Sequence, residues 1–194
     1  MNKQPPWAAL SSGFKTMKYV LVFIAVAMIS FGLFLANYLG AFRGVEISEV
    51  TQGPFKIVYV EHVGPYHKVN KQLERIEKYM QSQGITCGRT FGEYLDNPRE
   101  VEEARLRSKV GCILEGEPPK LTEGLQLGEI PQRKYVMAIF TGSPGIGPLK
   151  VYPKVNDYML KAGLKQTDAV IEIYEIHSIT EKNAMTTTYL FPVQ

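Results

Sequence analysis

The sequence predicts an α+β domain. Two βαββ units share one antiparallel sheet with both helices on one face, behind a single N-terminal transmembrane helix. Three observations carry that expectation. Between Lys18 and Arg43 the chain has no charged residue. Downstream, the apolar spacing runs strand, helix, strand, strand, and then repeats that order. At residue level, Tyr79-Met80-Gln-Ser-Gln-Gly84-Ile85 recurs as Tyr158-Met159-Leu-Lys-Ala-Gly163-Leu164.

Residues 19–42 are apolar enough, and long enough, to cross a hydrocarbon core of about 30 Å as a helix. Tyr19 and Tyr38 sit where interfacial aromatics belong. A cleaved signal peptide has a shorter apolar core and ends at a small-x-small site. Leu39-Gly40-Ala41 fits such a site poorly, so the span reads as an uncleaved anchor. Lys3, Lys15 and Lys18 precede it and Arg43 follows it. The positive-inside rule then leaves residues 1–18 in the cytoplasm and exports the domain, to the periplasm in a bacterium. The alternative is the reverse topology, with a cytoplasmic domain. Residues 43–54 read as a linker and 55–194 as the folded domain, with halves 55–117 and 131–194.

Phe55 to Val63 reads as a strand, and Gly64-Pro65 breaks it. Pro65 suits the first turn of a helix from Tyr66 to Gln83, where Val69, Leu73, Ile76, Tyr79 and Met80 recur at helical spacing. Gly84 stops it. Arg89 to Leu95 is a second strand, Asp96-Asn97-Pro98 a turn, and Arg105 to Glu115 a third strand. Residues 118–130 read as a polar connector. The second half follows with a strand over 133–141 and a loop over 142–148. A helix over 151–162 comes next, then strands over 169–176 and 185–192. Gly142 to Lys150 superficially resembles a phosphate loop. It lacks the Gly-Lys-Ser/Thr ending, and Pro144 and Pro148 remove amides, so it reads as a flexible lid.

The chain has 194 residues and a net charge of +3. All four bases of residues 1–43 lie outside the domain, which is left close to neutral. A nucleic-acid partner needs a basic face and is not expected. His62, His67 and His177 form no ligand cluster, and the two cysteines lack metal-site spacing, so no metal or other cofactor is expected. A hairpin turning near 97–103 would put Cys87 roughly opposite Cys112. A disulfide there suits an oxidising compartment, and two small buried thiols are the alternative.

The candidate site starts from one residue. Val170 to Ile176 is a β-branched apolar run interrupted by Glu172, and glutamate is poor strand material. Alternation puts Glu172 and Tyr174 on one face and Ile171, Ile173 and Glu175 on the other. The bland reading is a solvated face. The sharp one is an acid beside a ring in a pocket for a cationic or polar small molecule. The internal repeat aligns Gly92 with Glu172 and Tyr94 with Tyr174, so one half offers room and the other charge. On the last strand Thr187 and Tyr189 alternate together. Tyr66, Phe91, Tyr94, Tyr135 and Tyr152 are further wall or rim candidates, with core packing as the alternative for each.

The doubled βαββ plan is one of four features that together resemble a known family. The others are Val63-Gly64-Pro65-Tyr66 before the first helix, Tyr94-Leu-Asp-Asn-Pro98 after the second strand, and Glu172-Ile-Tyr174 near the end. The resemblance is to the GyrI-like small-molecule-binding domain, over about residues 45–194. It is closer to the membrane-anchored branch, typified by a single-pass ER-phagy receptor. That branch shares the apolar helix, a segment like Gly44-Val45-Glu46-Ile47-Ser48, and a strand like Val110-Gly111-Cys112-Ile113-Leu114. The resemblance implies that Glu172 lines a pocket for cationic aromatic ligands and that Tyr189 is a pocket tyrosine. It also implies that Thr187 stands where multidrug-binding members carry a second acid. Some members hydrolyse strained electrophiles, which would give Glu172, with Tyr174 or Tyr189, general acid–base work. No nucleophile is evident, so binding is the expected function and catalysis the alternative. A protein-interaction module with a vestigial pocket is the third reading. No DNA-binding helix pair precedes the domain, and the sequence carries no long acidic tail after the last strand. Transcription activation and receptor function are therefore not implied, and no protein partner is named.

Overall fold

The computed structural model describes residues 7–121, 124–176 and 185–194. It divides into two compact units, residues 1–42 and 43–194. In the first, helix α1 (Trp7–Tyr38) contains a 22-residue segment, Met17–Tyr38, of mean hydropathy 2.6. That segment is long and apolar enough to cross a membrane. The helix stops at Tyr38, and Gly40, with positive φ, turns the chain before residue 42, where the anchor was expected to end. Helical structure also reaches back to Trp7, into the segment expected as a separate N-terminus.

The second unit is one eight-stranded antiparallel sheet with two helices. In chain order these are β1 (Glu46–Gln52), β2 (Phe55–Val63), α2 (Val69–Ser82), β3 (Arg89–Tyr94), β4 (Arg107–Ile113), β5 (Gln126–Ile130), β6 (Arg133–Gly142), α3 (Gly147–Ala162), β7 (Val170–Ile176) and β8 (Met185–Pro192). Their order across the sheet is β1-β6-β8-β7-β3-β4-β2-β5. That order is symmetric about the central β3–β7 pair, with each βαββ unit supplying three strands and an outer strand flanking each side.

The two outer strands differ from the sequence expectation. Residues 46–52, expected within a linker, pair with β6, and 126–130, expected within a connector, pair with β2. Both carry glutamates and glutamines on an edge, which masks the strand pattern. They also set the shape. Only Gly53-Pro54 joins β1 to β2, and only Pro131-Gln132 joins β5 to β6. Two residues reach no more than about 10 Å, yet five strands separate each pair in sheet order. The sheet must therefore curl until its edges meet at that end. A Cβ on Gly53 would lie 3.1 Å from both Gln132 Cα and Pro131 O, so the two connectors touch, and Gly53 has φ +97°.

Curling gives the sheet two buried faces. One holds Ile57, Phe91, Ile113, Ile130, Tyr135, Ile171, Ile173 and Leu190. The other packs α2 over Val58, Val60, Val110 and Cys112, and α3 over Val136, Ala138, Phe140, Tyr189 and Phe191. The registers place those two patches on the same face, as expected for both helices. Every residue of these clusters lies between 45 and 193, so residues 43–194 carry a complete core without α1.

A disulfide joins Cys87, after α2, to Cys112, buried in β4, with Cα atoms 5.6 Å apart. The Asp96-Asn97-Pro98 turn is clamped from both sides. The Arg107 backbone N–H and guanidinium donate to the Asp96 carboxylate at 2.7–3.0 Å. The Tyr66 hydroxyl donates to Asp96 O and accepts from Asp96 N. The expected lid is mostly regular structure: β6 runs to Gly142 and α3 starts at Gly147. Pro148 sits in the first turn of α3, where its missing N–H costs nothing.

Candidate functional site

Because β3 and β7 are the central strands, the helix-facing side of their row is walled on both sides. Glu172 pairs with Gly92 of β3 and with Tyr189 of β8. It is 6 % exposed. The sequence repeat suggested Gly92 and Glu172 facing each other across a cleft between halves. The structure makes them cross-strand neighbours in one continuous sheet. The room at Gly92 is used by Tyr94, two residues on. A Cβ there would stand 3.0–3.1 Å from the Tyr94 ring. With no side chain in the way, Tyr94 leans over the Gly92–Glu172 row. Its hydroxyl meets that of Tyr174 at 2.7 Å.

Four groups form a hydrogen-bonded chain on this row. The Tyr174 hydroxyl donates to Glu172 Oε2 at 3.0 Å, and the Tyr152 hydroxyl, reaching down from α3, donates to Oε1 at 3.0 Å. With Glu172 ionised, Tyr174 has one proton and spends it on the carboxylate, so Tyr94 is the donor in the Tyr94–Tyr174 bond. Rings close the surroundings. Tyr66 stacks edge-on against Tyr94 at 4.7 Å between centroids, and Tyr152 packs edge-on against Tyr189 at 6.2 Å and Phe191 at 5.2 Å. Tyr152 lies three and seven residues before the core residues Val155 and Met159, a spacing that already marks it as inward-facing.

Burial drives the electrostatics. Desolvation raises the Glu172 pKa to about 7, with the Tyr152 and Tyr174 hydrogen bonds pulling it partly back. No basic residue is among its partners in the described residues. Desolvation and the Glu172 charge push the Tyr94, Tyr152, Tyr174 and Tyr189 hydroxyls well above the ordinary tyrosine range, so all four stay neutral. Tyr189 is fully buried, and among the described residues its hydroxyl makes no hydrogen bond of good geometry, though Thr187 lies near enough to pull its pKa partly back. Gly147, which sequence reasoning missed, is what admits that hydroxyl. A Cβ there would fall 2.1 Å from Tyr189 Oη, so α3 can begin over Tyr189 only with glycine at that position. The glycine-rich loop was the available signal.

The ten candidates divide. Glu172, Tyr174, Tyr152, Tyr94, Tyr189 and Gly92 come together in the site. Thr187 lies beside Tyr174 in register and is buried. Tyr66 supports Tyr94 and the Asp96 turn instead of reaching Glu172. Phe91 and Tyr135 do not join: odd–even alternation puts them on the opposite face, among the residues inside the curl. Tyr135 there borders a cleft of about 280 Å³, whose walls carry the Lys109–Glu93 and Arg133–Asp168 ion pairs at 3.2 and 2.6 Å. None of the buried polar atoms without a partner lines that cleft. His177 lies outside the described residues. Among those described, no group of three or more His, Cys, Asp or Glu is placed to hold a metal.

A family model described as the GyrI-like small molecule binding domain matches residues 45–194. Among solved structures, the C-terminal domain of EcmrR superposes with TM-score 0.63 at 18 % identity, covering 77 % of this chain and 98 % of that one. The EcmrR–DNA complex gives TM-score 0.63 at 16 % identity, covering 95 % and 71 %. A hydrolase from Listeria innocua gives TM-score 0.53 at 14 % identity, covering 82 % and 98 %. At these identities the likeness is one of fold. No curated protein matches the chain.

Proposed function

This chain belongs to the GyrI-like small molecule binding domain family, and from that premise we propose that it binds one small cationic amphiphile at Glu172. The binding senses or sequesters the molecule. The carrying observation is a carboxylate 6 % exposed among tyrosines with no base beside it among the described residues. Burying such a charge costs several kcal/mol unless something compensates it. A ligand cation compensates it, and the surrounding rings add cation–π attraction.

The apolar segment Met17–Tyr38 supports a membrane tether, and the lysines before it support export of the domain. The Cys87–Cys112 disulfide supports the same side of the membrane, since such bonds persist in oxidising compartments. EcmrR in complex with DNA bears on another context: the domain here is close to neutral, and its partners are a small molecule and a bilayer.

A second reading has one specific observation behind it. A carboxyl poised near pH 7, hydrogen-bonded to a tyrosine, suits general acid–base hydrolysis of small electrophiles. Binding is favoured because, among the described residues, the groups hydrogen-bonded to Glu172 are tyrosine hydroxyls and no base activates either as a nucleophile.

The test is thermal unfolding of residues 43–194 at pH 8 with methyltriphenylphosphonium or a long-chain ammonium. Saturation at a hundred times Kd should add about 2.7 kcal/mol, a rise of roughly 5–10 °C. No shift with any cationic amphiphile would end this reading. Glu172-dependent turnover of an electrophile would install the second.

A further inference from the structure

We infer that this site selects cations bearing N–H groups, primary ammonium or amidinium, over quaternary ions of the same skeleton. The inference rests on the cation reading above and concerns what the ligand must offer.

It follows from counting protons. With Glu172 ionised, the carboxylate has about four acceptor positions, and Tyr152 and Tyr174 fill two. The Tyr174 proton goes to Glu172, and its oxygen accepts from Tyr94. The Tyr152 proton also goes to Glu172. Three hydroxyl protons therefore run inward along the chain, and none of these three remains for a ligand. What remains are acceptors: two positions on Glu172 and the lone pairs of Tyr94 and Tyr152. The Tyr189 proton goes to no acceptor among the described residues, but its hydroxyl is packed against Gly147 under the start of α3.

A surface made of acceptors is matched by a donor-rich cation. An ammonium with three N–H groups loses more hydration on burial than a trimethylammonium does. A site built from rings and shape alone therefore favours the quaternary ion. Its extra methyls add burial energy in the same direction, about 0.8 kcal/mol per carbon. Only acceptors placed at the charge reverse that order, through charge-assisted hydrogen bonds.

The experiment is calorimetric titration of residues 43–194 at pH 8 with 1-naphthylmethylammonium and with its trimethylated quaternary analogue. The primary ion should bind about tenfold more tightly or better. Tyr94→Phe, which removes an acceptor but leaves the Tyr174–Glu172 bond in place, should narrow the ratio while its unfolding curve stays cooperative. Equal affinities, or preference for the quaternary ion, overturn this inference and leave the cation reading standing. If neither ion binds, both fall.

Discussion

Glu172→Gln should make the ligand-free domain more stable than wild type by about 3 kcal/mol above pH 7, the linkage value of a carboxyl raised from 4.5 to about 7. The sign follows from proton uptake. Because the folded pKa lies above the unfolded one, the native state holds the extra proton between those values. Stability from this group is complete below pH 4.5, falls as pH rises to 7, and stays low beyond it. Glutamine carries no charge to desolvate, so the penalty disappears. One tyrosine must turn to accept from the new amide, which offsets part of the gain. For a unit of this size the difference is roughly 6–12 °C in melting temperature at pH 8, shrinking to nothing by pH 4.5. Differential scanning fluorimetry of both proteins across that range decides it. A Gln variant no more stable at pH 8, or a difference that ignores pH, would mean that the carboxylate is not desolvated. Gaining stability while losing ligand affinity is what a site held at a cost to the fold must do.

The second large effect concerns the disulfide. Cys87 and Cys112 are 25 residues apart, and closing a loop of that length stabilises by about 3.5 kcal/mol in the chain-entropy account. It ties the segment after α2 to the C-terminal end of β4, Cys112 being next to its final residue Ile113; β4 is the strand between β2 and β3. The double variant Cys87→Ala, Cys112→Ala should therefore unfold roughly 7–14 °C below wild type. Reduction of the wild type should reproduce most of that loss. The same bond reports the compartment. Maleimide labelling of the full-length chain, denatured directly from cells, should leave both cysteines unmodified unless a reductant is added first. Two labelled thiols without reductant would place the domain on the reducing side and reverse the proposed topology.

The inner six strands and both helices were legible because they carry clean periodicity. The outer strands were not: 46–52 and 126–130 are polar edges whose pairing comes from the curl of the whole sheet. Glu172 was legible as a charge in an apolar strand, and Gly92 as its partner in the repeat. The repeat aligned the two residues but could not say that their strands are neighbours. That is why a facing pair became an adjacent one. Phe91 and Tyr135 show the other limit. Their aromatic character is visible in sequence, but only the register says that alternation turns them away from Glu172. Tyr152 reads as a rim residue until α3 is laid on the sheet, where it becomes a direct donor to the carboxylate.

The central claim is that an ionised Glu172 receives the ligand's charge. The measurement that tests it most directly is the affinity of a permanent cation, methyltriphenylphosphonium, between pH 5.5 and 8.5, for wild type and Glu172→Gln. Wild-type affinity should climb about tenfold per pH unit below pH 7 and level off above it. The variant should bind at least about tenfold more weakly at pH 8 and show no such climb. A wild-type affinity independent of pH, or a variant that binds as well as wild type, would contradict the account.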